Sequence, residues 1–142
     1  MDAITRSMGN LIRCMNRYRA EHLAPLALKP CHAGYLLEIC ACPGISQEQL
    51  SRRIYANKSN VARQLAALEE GGYVERRPGE EDRRVMRVYP TEKALAALPQ
   101  IQAIMDSWET AVAGGLTEEE REKLSALLED MTCRAAALLE EQ

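Results

Sequence analysis

Phenylalanine is absent from this chain of 142 residues, and tyrosine and tryptophan together make up only 4% of it. A core built here must rest on Leu, Ile, Val, Ala and Met, and the 46% apolar content can supply one for a single small domain. Apolar runs long enough to cross a bilayer are missing, as is a basic start leading into an apolar block and a cleavage site. No membrane association and a cytoplasmic location are therefore expected. There is no G-x-S-x-G elbow, no phosphate loop ending in G-K and no HExxH pair, and only two histidines are present. Lacking a nucleophile with its base, the chain does not read as an enzyme, and no cofactor is expected. Internal repeats and low-complexity segments are also missing, which excludes solenoids and linkers.

Net charge is small as well, at −3. Its distribution is uneven: residues 52–93 carry ten Lys/Arg against seven Asp/Glu, and residues 94–142 carry three against ten. Positive charge concentrates in one segment, and the acidic tail would be repelled by a polyanion. Five cysteines, an odd number, argue for reduced thiols, not a disulfide framework.

The basic segment contains a hairpin pattern. Tyr73–Arg77 and Arg84–Tyr89 are rich in strand formers, and Pro78 and Gly79 break the run between them. The connecting loop places Asp82 next to Arg83 and Arg84, an arrangement in which a carboxylate can hold guanidinium planes in a fixed pose. Ahead of the hairpin, Asn57 can cap a helix whose buried stripe is Val61, Leu65 and Leu68 and which ends at Gly71 and Gly72. Its other side carries Ser59, Arg63, Ala66 and Glu70, with Asn60 and Ala67 at the margin. Ser, Asn and Arg near a helix start are the types that reach base edges in a major groove. A shorter helix precedes it, opened by a Ser46/Gln49 capping box and bearing Arg52 and Arg53 toward phosphates. The order of helix, turn, helix and hairpin is that of a winged helix-turn-helix, so double-stranded DNA is the expected partner.

From about Leu23 to Lys93 the sequence resembles the MarR family of bacterial transcriptional regulators. Asp82, Arg84, Val88 and Thr91 fall on the family's wing signature, D-x-R followed by V-x-L-T, with Pro90 where the family prefers leucine. The segments Leu23–Pro30, Ser46–Ile54, Asn57–Arg77 and Leu116–Arg121 match in order and spacing. The resemblance implies a mainly α fold with a small β-hairpin wing. The winged helix-turn-helix would occupy 30–90 of a single domain spanning 1–142, flanked by dimerisation helices over 1–24 and 91–142. It also implies a regulator, most often a repressor. In it Ser59, Asn60 and Arg63, with Gln64 as an addition, would read bases; Arg52, Arg53 and Lys58 would hold phosphates; and Arg83 or Arg84, steadied by Asp82, would enter a flanking minor groove. Family effectors, commonly phenolic or other lipophilic anions, would bind near Met8, Met15, His32 and Tyr35.

Apolar residues recur at steps of four and three near the N-terminus (Ile4, Met8, Leu11, Met15, Tyr18), over Ala94–Val112, and after the Thr117/Glu120 capping box (Leu124, Leu128, Met131, Leu138). Such narrow seams are best buried against one another or a second copy, so a homodimer on an imperfect palindrome is expected. Pro99 predicts a bend or restart near Ala96–Pro99. Some members of the family sense oxidants through a cysteine. Cys14, flanked by Arg13 and Arg17, and Cys31, at a helix start, are the candidates here, because both settings lower a thiol pKa. Cys31, His32, Cys40 and Cys42, with His22, are zinc-ligand types. Cys31 and Cys40, however, stand nine residues apart on one helix, about 13 Å along its axis, so no metal site is expected. A winged helix that docks another protein is the alternative from a different class.

Overall fold

The computed structural model describes residues 2–140; Met1 and the last two positions of the expected C-terminal segment, Glu141 and Gln142, lie outside it. Helix α1 (Ala3–Leu23) starts at Asp2, whose carboxylate accepts the Ile4 N–H at 3.0 Å. A 3-10 turn (Ala24–Leu26) leads to α2 (His32–Ala41), β1 (Ile45–Ser46), α3 (Gln47–Arg53), α4 (Lys58–Glu70), β2 (Val74–Pro78), β3 (Met86–Pro90), α5 (Glu92–Ala113) and α6 (Glu118–Glu140). Contacts divide the chain into two compact units, Met1–Met105 and Asp106–Gln142.

The first unit is built around α4. Its stripe of Val61, Leu65 and Leu68 is buried, together with Leu36 and Ile39 of α2, Leu50 of α3 and Val88 of β3. The two wing strands pair antiparallel from Val74↔Pro90 to Pro78↔Met86; β2 lies one residue later than its expected span, and β3 starts two residues later and ends one later. A strand that was not expected, β1, adds to the far side of β3 through Ile45↔Val88 and Ser46↔Arg87, giving the order β1-β3-β2. Pro90 ends β3 without harm. Thr91 N–H donates to the Tyr73 carbonyl at 3.0 Å, so by alternation the N–H that Pro90 lacks would face the β1 side, beyond the end of that two-residue strand.

Helix α5 bears on two expectations. It does not restart at Pro99, which lies inside one continuous helix. The carbonyl left without a donor belongs to Leu95, on an exposed side of the helix where water can satisfy it. Moreover, Ala94, Ile101 and Ile104 are buried in the core of the first unit, so the early part of the Ala94–Val112 seam is already covered. In the second unit the Thr117/Glu120 capping box forms in both directions, at 2.9 and 3.1 Å. No described residue of α6 is buried; Leu124, Leu127, Leu128, Met131, Leu138 and Leu139 are exposed. Ile4, Met8, Leu11 and Ile12 of α1 are exposed as well.

Candidate nucleic-acid interface

The start of α4 is ordered by short local bonds. Asn57 Oδ1 accepts the Asn60 N–H at 2.7 Å and the Ser59 hydroxyl at 3.4 Å. One turn later, Arg63 Nη2 donates to Asn60 Oδ1 at 2.8 Å, which holds the guanidinium along the exposed face. Lys58, Ser59 and Arg63 are exposed, the first two at the end of the helix where free N–H groups and the macrodipole favour anions. Gln64 does not join them. Its side-chain oxygen lies 2.9 Å from His32 Nε2, so a residue expected at the base-reading face is turned instead to α2.

The wing tip is a tight loop. Gly79 N–H donates to the Val85 carbonyl at 2.7 Å and Val85 N–H to the Asp82 carbonyl at 3.1 Å; a Cβ on Gly79 would come within 2.9 Å of that same Asp82 oxygen. Asp82 grips Arg84 three times, through the backbone N–H at 3.0 Å, Nε at 3.1 Å and Nη2 at 3.2 Å. Those bonds hold the Asp82 carboxyl below the usual carboxylate range. The Arg84 side chain is nonetheless 92% exposed, so its charge is oriented but not covered. Arg83 is exposed beside it. Wing and helix pair face a common cavity of about 240 Å³, lined by Ser46, Gln47, Glu48, Lys58, Arg84, Val85 and Met86. Lys58 and Arg84, 26 positions apart in sequence, thus flank one groove.

Two acidic partners were not anticipated. Glu48 Oε1 meets Arg52 Nη2 at 3.1 Å and Lys58 Nζ at 3.7 Å, while Glu38 lies 3.4 Å from Arg53 Nη1. The Glu48–Arg52 spacing of four residues was visible in the sequence as a helical ion pair. All these cations are at least half exposed, so the pairs are weak and open to exchange for phosphate.

The four residues expected near an effector separate by environment. Met8 is exposed and Met15 half-buried on α1, whereas His32 and Tyr35 are buried on α2. Lys29 N–H donates to His32 Nδ1 at 3.0 Å, which makes Nε2 the protonated nitrogen that donates to Gln64. Burial pushes the imidazole pKa down, while the Tyr35 hydroxyl is buried with no hydrogen-bond partner among the described residues. Among the cysteines the expectation for Cys31 is corrected: although the residue is exposed, burial around the sulfur pushes its pKa up, opposing the backbone hydrogen bond and Lys29 that lower it. Cys14 is exposed. Among the described residues no group of three or more His, Cys, Asp or Glu side chains could hold a metal ion, and no helix is long and apolar enough to cross a membrane.

A capped helix pair whose second member exposes Ser59 and Arg63 beside half-buried Asn60, next to an arginine-tipped antiparallel hairpin, defines a winged helix-turn-helix. A sequence model of the MarR family matches residues 28–85. Over 128 residues the chain is 30% identical to the HTH-type transcriptional regulator YybA of Bacillus subtilis (strain 168), covering 90% of this chain and 85% of that one. The chain belongs to the MarR family, a family of transcriptional regulators and not of enzymes. Its structure is similar to that of the transcriptional regulator SlyA, at 27% identity and a TM-score of 0.93 over 98% of both chains. A MarR family regulator from Listeria monocytogenes complexed with 26mer DNA shares the fold at 24% identity, with a TM-score of 0.90 over 96% of this chain and 91% of that one.

Proposed function

We propose that the protein is a homodimeric repressor that binds double-stranded DNA at an imperfect palindrome, with half-sites about one helical turn apart. The observation that carries this reading is the common groove flanked by Lys58, at the start of α4, and by Arg84, held by Asp82 at the wing tip. In it Ser59, Asn60 and Arg63 read base edges in the major groove. Lys58, Arg52 and Arg53 hold phosphates after leaving Glu48 and Glu38, and Arg84, with Arg83 beside it, enters the adjacent minor groove. Gln64 supports the helix from behind through His32. The exposed apolar faces of α1 and α6 give each copy a surface to bury against its twin, and a cytoplasmic location goes with the role.

Release by a small ligand accords with the buried, unpartnered Tyr35 hydroxyl, which such a molecule could satisfy. Release by an oxidant acting at Cys31 is less well supported, because burial disfavours the reactive thiolate there. Selection of bound fragments from a random duplex pool, followed by a salt titration on the recovered sequence, tests the proposal. A palindromic consensus and an affinity falling steeply with salt are expected; no affinity for any duplex in dilute buffer would overturn it in favour of a protein-docking winged helix.

A further inference from the structure

Three elements of the winged unit meet at one side chain. Arg76 donates its backbone N–H to Glu69 Oε2 at 2.9 Å, its Nη2 to Glu69 Oε1 at 3.2 Å and its Nη1 to Gln47 Oε1 at 3.4 Å. Glu69 lies in the last turn of α4, Gln47 is the first residue of α3, and Arg76 is the middle residue of β2, paired with Val88 of β3. The guanidinium fork therefore ties together the two helices of the helix-turn-helix and the wing. Its side chain is only 24% exposed, against 92% for Arg84, so its charge faces the protein. A lysine ammonium in its place would keep the charge but could not reproduce the two-pronged grip. On the other side of the pair, hydrogen bonding from Arg76 holds the Glu69 carboxyl below the usual range.

We propose that Arg76 is a positioning residue: with Glu69 and Gln47 it sets the angle between wing and α4, so that Arg84 and the Ser59–Arg63 face meet one duplex together. This rests on the DNA-binding reading above. It gives Glu69 a role opposite to the one its charge alone would suggest. A free carboxylate at the end of a DNA-reading helix repels phosphate, and its neutralisation should tighten binding. A carboxylate that orients the wing should, when neutralised, loosen it.

The test uses the full-length protein, the duplex recovered by selection and a random duplex of equal length, with affinities referred to the folded, active fraction. Arg76→Lys is expected to weaken binding to the selected duplex about tenfold and Glu69→Gln about fivefold. Both should lower the ratio of selected to random affinity. A loss of stability alone would not move that ratio. The proposal is overturned if Arg76→Lys binds as the parent does or if Glu69→Gln binds equally or more tightly. Should Arg76→Lys fail to fold, Gln47→Ala, which removes only the longest of the three contacts, must still lower the ratio; an unchanged ratio overturns the proposal. A parent protein with no affinity for any duplex would sink the DNA reading and this inference together. A parent that binds, with variants that behave like it, would sink this one alone.

Discussion

Arg84 and His32 mark two ways in which a single side chain is prepared for work. Arg84 is held in pose by Asp82 while remaining almost wholly in solvent, so little conformational freedom is left to lose on meeting DNA. Replacing it with alanine should weaken binding to the selected duplex by about 1–3 kcal/mol at fixed salt, without changing the melting temperature. Fluorescence anisotropy and a thermal melt check both halves; unchanged affinity would remove the wing from the interface. His32 is prepared by exclusion of charge. Its Nδ1 accepts from Lys29 and burial lowers its pKa from 6.5, so the folded state favours the neutral ring more than the unfolded chain does. The stabilisation is therefore complete above the unfolded pKa and is lost as pH falls through the lower folded value. Melts recorded between pH 8 and 5 should show the parent losing stability below about pH 6.5 more steeply than His32→Gln. Parallel profiles would assign the dependence to other groups. The contact between His32 and Gln64 could not be foreseen, because the pair lies 32 positions apart and Gln64 has the same composition signature as a base reader.

Secondary-structure elements were legible wherever their causes are local. The Ser46/Gln49 and Thr117/Glu120 boxes, the Asn57 cap and the Val61, Leu65, Leu68 stripe all depend on residues within a few positions of one another, and all appear as expected. Strand β1 was not legible, since two residues have no periodicity and Ile45–Ser46 extends only because β3 lies beside it. Pro99 does not restart the helix, because the carbonyl it orphans can reach water. The wing tip gives a test at this scale. An alanine at Gly79 would bring its Cβ within 2.9 Å of the Asp82 carbonyl, forcing the loop open and moving Asp82 and Arg84 with it. Gly79→Ala should therefore lower affinity about tenfold, within the range expected for Arg84→Ala, while the change in global stability stays below about 1 kcal/mol. Equal affinity would mean that the loop accommodates the methyl without displacing Arg84.

The whole molecule separates its charges by task, with the basic excess in residues 52–93 and the acidic excess in residues 94–142. An acidic tail is of no help on DNA, and α6 has no buried described residue of its own; in the proposed dimer its apolar side is completed by a second copy of the chain. Six exposed Leu and Met side chains on α6 and four apolar ones on α1 provide the area for such a contact. Leu128→Glu would set a charge on that surface in each copy. Sedimentation should find the parent near twice 15.9 kDa and the variant near the mass of one chain. Linking two half-site contacts makes the second one effectively intramolecular, so the variant should lose about a hundredfold or more on the palindrome. Its affinity for a single half-site should stay near the parent's, and its salt slope should fall to about half. A parent that sediments as one chain, or a Leu128→Glu variant that still sediments as two and binds the palindrome unchanged, would show that α6 does not join the copies.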